Sequence, residues 1–189
     1  MNDFLLYIPD FGHALVVTLG ISLCAALSGA LIGFAAQAIS RMNTLLYGLW
    51  RTYVWLVRGT PYLAQLAVFY FGLPAIGITL SAVEATVISL ALYSTAYFSE
   101  IFRAAWKSIS VGQLEAAQVH DISAWKSFWH IQTPQALRFS LPLLGNQFIS
   151  TIKESAVASV ITVPELTMTT GQIVANTYTY IVQIGRAHV

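Results

Sequence analysis

Four polar residues within otherwise apolar stretches are the first candidates for chemistry. Lys153 and Glu154 interrupt the apolar segment 139–163, Asn146 precedes Lys153 by seven residues, and Glu100 lies near the end of the apolar segment 80–102. A charge at the centre of a bilayer costs about 2.5–3.5 kcal/mol or more, so each charge needs a partner, a watery cavity or a ligand. The four residues are therefore candidates for the border of a solute path, where a zwitterion offers a carboxylate and an ammonium group.

A structural role explains the same charges equally well. Lys153 and Glu154 are adjacent, so they point about 100° apart on a helix and cannot easily pair with each other. Each could instead pair with another helix. Glu100 and Arg103, at positions i and i+3, favour an ion pair near the end of their helix.

Other kinds of active site find little support in the sequence. The four histidines are scattered, and the HExxH and CxxC motifs are absent, so no metal site is predicted. The single Cys24 lies in an apolar run, which is typical of a small membrane-buried side chain rather than a reactive thiol. The phosphate-binding motif GxxxxGK[ST] is also absent, so we expect this chain not to be an enzyme that hydrolyses ATP.

Composition indicates a membrane protein. Of the 189 residues, 57% are hydrophobic and 9% are charged, and the formal net charge is +1. Soluble domains carry about 25% charged residues, and so few charges could not cover the surface of one. The near-neutral balance also argues against a nucleic-acid partner.

Stretches with few charges predict four spans, in segments 11–40, 59–83, 80–102 and 139–163. Pro61 and Pro74 restrict the helix of the second to about Tyr62–Leu73. The segment 43–57 predicts an amphipathic helix at the membrane interface, and Gly29 and Gly33 form a GxxxG pattern that favours close helix packing. These elements predict an all-α integral membrane fold, a multi-span helical bundle.

The distribution of basic residues predicts the orientation. Seven fall between spans one and two or between spans three and four, namely Arg41, Arg51, Arg58, Arg103, Lys107, Lys126 and Arg138. No Lys or Arg falls on the other side within residues 1–183. By the positive-inside rule, the seven are cytoplasmic and the N-terminus lies outside.

The segment 110–134 is the most informative cytoplasmic stretch. Ser110 and Gln113 predict a capping box at the start of a short helix, and Ser123 predicts the cap of a second. Trp125, Phe128 and Trp129 share one face of that second helix. The pattern predicts a rigid knob with an exposed ridge at Ala116 and Ala117, although an ordinary interfacial loop anchored by its tryptophans is the alternative.

This segment resembles the EAA loop of ABC importer permeases. The matching residues are Glu115, Ala116, Ala117, Ile131 and Pro134, with Asp121 at a turn position where the family usually has Gly. Other motifs resemble the polar amino acid uptake subfamily, and they run through 58–61, 65–74, 96–103, 112–117, 141–146, 153–155 and 159–167. Thr133 stands where the family usually has Leu, and Glu154 where it often has Asp.

The resemblance implies a permease of the type I ABC importer kind in a bacterial cytoplasmic (inner) membrane, carrying amino acids. It implies three partners besides the lipid bilayer. They are an ATP-binding cassette ATPase subunit gripping the EAA loop, a second permease copy or paralogue, and an extracytoplasmic solute-binding protein. ATP and Mg²⁺ would be bound by the ATPase subunit, with no cofactor on this chain.

The resemblance also sets the expected domain organisation. Residues 1–183 are expected to form one permease domain that holds the loop at about 110–134. A fifth span is usual in the family after this point, so we interpret the chain as C-terminally truncated and residues 184–189 as a non-native tail. Two other functions stay open from the residues alone: an intramembrane enzyme and a non-transporting membrane scaffold.

Overall fold

The computed structural model describes residues 7–41 and 43–177. Within these ranges the chain contains no strand, and every regular element is helical. The described part of the chain holds eight α-helices: α1 (Ile8–Ser40), α2 (Thr44–Gly59), α3 (Tyr62–Ala67), α4 (Ala82–Lys107), α5 (Val111–Val119), α6 (Ala124–Ser127), α7 (Thr133–Ser155) and α8 (Leu166–Thr177). The predicted tail 184–189 lies outside the described residues.

Three of these helices extend without a break into tighter or wider turns. A π-helical segment, Val68–Gly72, and a 3₁₀ segment, Leu73–Ile76, continue α3, whereas the π-helical segment Phe128–Gln132 joins α6 directly to α7. The 3₁₀ segment Ala156–Ile161 continues α7. Each π segment ends two residues before a proline, Pro74 or Pro134. A proline ring clashes with the carbonyl four residues earlier in an α-helix, and a wider turn at that point relieves the clash.

Side chains cap the starts of α2, α4 and α8. Ser81 and Glu84 form a capping box at the start of α4, since the Ser81 N–H donates to the Glu84 carboxylate at 2.8 Å and the Glu84 N–H donates to Ser81 Oγ at 3.3 Å. Asn43 Oδ1 accepts from Leu45 N–H at the start of α2. Glu165 is buried at the start of α8, where its carboxylate accepts from the N–H groups of Thr167 and Met168.

The chain folds into two compact units. Among the described residues, the first comprises 7–25, 62–90 and 151–177, and the second comprises 26–41, 43–61 and 91–150. In the first, Leu166 N–H donates to Thr18 Oγ1 at 3.1 Å, and the Tyr62 and Ser89 hydroxyls are hydrogen-bonded.

Close helix packing defines the second unit. A Cβ atom added to Gly33 would stand 2.9 Å from both Ser99 N and Thr95 O, and one added to Gly29 would stand 3.0 Å from the Ser94 Cβ. The close helix packing that the GxxxG pattern favours is present, and the partner of α1 is α4. A buried cluster includes Ala26 on α1, Phe98, Phe102 and Trp106 on α4, and Ala136 on α7.

Within the described residues, two helices are long and apolar enough to cross a bilayer, α1 with a window of mean hydropathy 2.3 and α4 with one of 1.2. The segment Tyr62–Ile76 is a shorter apolar helix, as its prolines predict. Against the predicted segment 139–163, the helix starts earlier, at Thr133, and α-helical geometry ends at Ser155. The predicted interfacial segment 43–57 is helical as α2.

Candidate coupling loop and charged clusters

The predicted knob consists of α5, a tight turn at Asp121 and α6. Asp121 has a left-handed backbone with φ of 55°, the Asp121 N–H donates to Gln118 O at 3.0 Å, and the Ile122 N–H donates to Ala117 O at 2.9 Å. These two bonds form a Schellman motif, which satisfies carbonyls at the end of α5. Asp tolerates the left-handed region better than most residues, so the turn forms without the family's glycine.

The two predicted caps of the knob have different outcomes. Ser123 Oγ accepts from Lys126 N–H at the start of α6, as predicted. The predicted capping box at Ser110 is wrong, because Ser110 occupies the cap position of α5 without a side-chain hydrogen bond to the helix. Gln113 instead accepts a hydrogen bond from Gln135 on α7 at 2.7 Å, which ties α5 to the longer helix.

Aromatic side chains fix the knob to the ends of two long helices. Phe128 stacks on Trp106 of α4, with ring centroids 5.5 Å apart, and Trp129 lies 6.4 Å from Phe34 of α1. Phe34 and Trp106 are in turn 5.3 Å apart. Trp125 contacts Trp129 but is itself mostly exposed. Close-packed rings therefore join the knob to α1 and α4.

Arg41 covers this aromatic cluster. Its guanidinium carbon lies 5.4 Å from the Trp106 ring and 5.5 Å from the Phe128 ring, and Nη2 donates to Gln132 Oε1 at 3.4 Å. Burial lowers the pKa of the Arg41 guanidinium from its ordinary value, although an arginine stays charged at any physiological pH. The positive charge of Arg41 is therefore attracted to the faces of the two rings by a cation–π interaction, which stabilises the aromatic cluster.

Exposure separates the residues of the Glu-Ala-Ala motif. Glu115 and Ala116 are exposed on α5, and Asp121 and Pro134 are also exposed. Ala117 is 4% exposed, so the predicted ridge of two exposed alanines is wrong at this position. Ala117 provides the carbonyl that accepts the Ile122 N–H in the Schellman motif. Ile131 is half-buried within the π-helical segment.

Glu100 is the centre of a cluster with three arginines. Arg103 Nε donates to the carboxylate at 2.8 Å, Arg51 Nη1 donates at 2.8 Å, and Arg58 Nη1 lies 3.7 Å away. The predicted pair with Arg103 is therefore present, but the two arginines of α2 were not predicted. The Glu100 side chain is 20% exposed. The structure thus places Glu100 in an ion-pair cluster that fastens α2 to α4.

The other predicted path residues lie on α7. Lys153 and Glu154 occupy its last turn, where Lys153 is exposed and Glu154 half-buried. Among the described residues neither forms an ion pair. Asn146 is exposed on the same helix, and its backbone carbonyl accepts from Ser150 Oγ at 3.1 Å.

Several contacts of the loop and of Glu100 could not be predicted from the spacing of residues in the sequence. The contacts of Phe34, Trp106 and Gln135 with the loop join residues far apart in the chain, and so do those of Arg51 and Arg58 with Glu100. For the arginine contacts, the sequence offered one local pattern: Arg51 and Arg58 are seven residues apart, so they lie on the same face of a helix. In the described part of the chain, no group of three or more His, Cys, Asp or Glu side chains could hold a metal ion.

Comparison with known proteins gives consistent matches. The probable amino-acid ABC transporter permease protein YckA of Bacillus subtilis is 42% identical over 151 residues, which are 79% of this chain and 66% of YckA. The nopaline transport system permease protein NocM of Agrobacterium fabrum is 35% identical over 191 residues, 93% of this chain and 79% of NocM.

Solved structures share the fold. The crystal structure of an amino acid ABC transporter with histidines matches with a TM-score of 0.89 and 34% identity, covering 96% of this chain and 86% of that one. An inward-facing structure of the MetNI methionine ABC transporter matches with a TM-score of 0.78 at 16% identity, over 94% of this chain and 86% of that one, and so supports the fold alone.

The family profile covers almost the whole chain. The profile described as the inner membrane component of binding-protein-dependent transport systems matches residues 10–185. The all-helical fold, the helix pair packed through glycines and the two-helix loop agree with that match. The chain therefore belongs to the family of binding-protein-dependent transport system inner membrane components.

Proposed function

We propose that this chain is the permease subunit of an ATP-driven importer that carries polar amino acids across the bacterial cytoplasmic membrane. The observation that carries the proposal is the family match over residues 10–185, together with relatives whose names specify amino acid or opine transport. Neither alternative, the intramembrane enzyme or the scaffold, has a comparable observation in its favour.

The knob is proposed as the contact with a separate ATPase subunit, which would bind ATP and Mg²⁺. Glu115 and Ala116 present an exposed surface, whereas Asp121, Ile131 and Pro134 hold the backbone that supports it. Ala117 contributes by burial, because a larger side chain there would open the turn. Phe128 and Trp129 then pass the motion of the ATPase subunit to α1 and α4.

A charge reversal tests the knob. Glu115→Lys is expected to weaken binding of the ATPase subunit at least ten-fold in a co-purified complex, since it replaces an exposed charge at the centre of the proposed contact. Lys107→Glu reverses an exposed charge at the end of α4 and is the matched control, expected to change binding little. Equal binding by both variants would contradict the coupling role while leaving the fold intact.

Lys153, Glu154 and Asn146 are proposed to border the solute path, with Glu100 outside it because three arginines already surround its carboxylate. In a reconstituted importer, Glu154→Gln and Lys153→Met are expected to reduce amino acid uptake without lowering the amount of inserted protein. Glu84→Gln, in the first turn of α4, provides a control for loss of an acidic side chain. Unchanged uptake in both variants would favour interhelical pairing instead.

The complete importer is proposed to contain two permease subunits, identical or paralogous, because one chain offers too few helices to enclose a solute. The pair would rock between inward- and outward-open states as the ATPase subunits close. A solute-binding protein would deliver the amino acid from the outer side, where we place the N-terminus. Uptake that depends on both added proteins, screened over a panel of amino acids, tests this assembly and identifies the solute.

A further inference from the structure

The cluster around Glu100 carries an excess of positive charge. Arg51, Arg58 and Arg103 surround one carboxylate, and within the described residues these arginines form ion pairs with no other acidic group. The local formal charge is therefore two positive units. Glu100 lies seven residues before the end of α4, which places the cluster roughly 10 Å from the end of that helix. Uncompensated charge is costly where water is scarce, so a negatively charged group from outside the cluster would stabilise it.

The guanidinium N–H groups of Arg58 form no direct hydrogen bond with Glu100. Its Nη1 lies 3.7 Å from Glu100, beyond hydrogen-bonding distance, and its guanidinium carbon lies 5.2 Å above the Tyr97 ring. The carboxylate of Glu100 is already occupied by direct bonds from Arg51 and Arg103. The side chains of Arg51 and Arg58 are 39% and 42% exposed, so both guanidinium groups remain accessible at the surface of α2.

An exposed tryptophan lies between these two arginines. Trp55 is four residues after Arg51 and three before Arg58, so the three side chains share one face of α2, and Trp55 is 72% exposed. Indole rings favour the headgroup level of a bilayer, and arginines there extend their charge toward phosphate groups. Leu45, Leu49 and Leu56 are also exposed on α2, but they lie on a separate face of the helix, where they are suited to contact acyl chains rather than water.

We propose that Arg51, Trp55 and Arg58 form a binding site for the phosphate headgroup of an anionic phospholipid. Arg58 offers the N–H donors that Glu100 does not take to the phosphate as a planar fork, and Trp55 packs beside the glycerol region. Glu100 is a positioning residue, because it holds Arg51 in place from the α4 side. The proposal does not depend on the transported solute or on the contact with the ATPase subunit.

Lipid titration of the detergent-solubilised chain, followed by native mass spectrometry, tests this site. Wild-type protein is expected to bind phosphatidylglycerol more tightly than phosphatidylcholine. Arg58→Gln is expected to weaken phosphatidylglycerol binding about five-fold, the equivalent of about 1 kcal/mol for one basic residue near an anionic surface, and to leave phosphatidylcholine binding unchanged. Arg58→Lys keeps the charge and is expected to retain most of the affinity.

Arg138→Gln is the matched control, since it removes an exposed arginine that forms no ion pair among the described residues. Equal loss of phosphatidylglycerol binding in Arg58→Gln and Arg138→Gln would overturn the proposal. Displacement of the bound lipid by inorganic phosphate would also overturn it, because the site would then bind a free anion. A third contrary outcome is weaker association between two copies of the chain in Arg58→Gln with lipid binding unchanged, which would identify a protein interface.

Discussion

The packing of α1 against α4 through Gly33 gives a sharp prediction. A methyl group at this position would stand 2.9 Å from two backbone atoms of α4, Ser99 N and Thr95 O, about 0.5 Å short of the 3.4 Å at which ordinary contact begins. Backbone atoms cannot rotate away as the end of a side chain can. Gly33→Ala must therefore separate the two helices locally.

The magnitude follows from comparison with Gly20 on the same helix, where an added methyl group would meet nothing within 4 Å. Replacing glycine by alanine inside a helix stabilises it by roughly 0.5–1 kcal/mol. Gly20→Ala should show this gain alone. Gly33→Ala should show the same gain offset by overpacking, which costs about 1–3 kcal/mol. The difference in unfolding free energy between the two variants is thus expected to be about 1–3 kcal/mol.

Reversible unfolding in mixed micelles, monitored by far-UV circular dichroism, measures both variants against the wild type. Gly29→Ala should fall between them, because its closest contact is the Ser94 Cβ at 3.0 Å. Equal stability of Gly33→Ala and Gly20→Ala would refute the close approach of the two helices in the second unit.

Three further substitutions should change stability in the same assay. Asp121→Gly is expected to stabilise the chain by up to about 1 kcal/mol, because glycine adopts the left-handed turn without strain; a loss would show that the aspartate side chain supports the turn. Thr133→Val should raise the unfolding free energy by about 1 kcal/mol, because the buried Thr133 hydroxyl has no hydrogen-bond partner within the described residues. Thr95→Val is the control: it removes a hydroxyl that is hydrogen-bonded, so it should not raise the stability. Glu100→Gln should lower the unfolding free energy by about 1–3 kcal/mol, because it leaves the arginines without their carboxylate. The exposed Glu115→Gln is the control and should lower it by less than about 0.5 kcal/mol. Similar losses in both variants would mean that the cluster contributes little to stability.

Local patterns were sufficient wherever the physical cause acts within a few residues. The shortened helix after Pro61, the cap at Ser123 and the turn at Asp121 depend on neighbouring backbone groups, and each was predicted correctly. Ser110 shows the limit of this reasoning. Its spacing to Gln113 permits a capping box, but a long-range partner, Gln135, takes the Gln113 side chain instead.

Composition and spacing by themselves determined that this is a helical membrane protein with a structured loop beside its basic residues. So few charges leave no other way to keep the hydrophobic surface from water, and the Glu-Ala-Ala spacing identifies the loop. Only the tertiary structure decided which charges neutralise one another and which rings hold the loop. The burial of Ala117, the attachment of Phe128 to Trp106 and the three arginines at Glu100 all depend on contacts between distant segments. Such contacts are set by the packing of whole helices, and no short-range pattern encodes their partners.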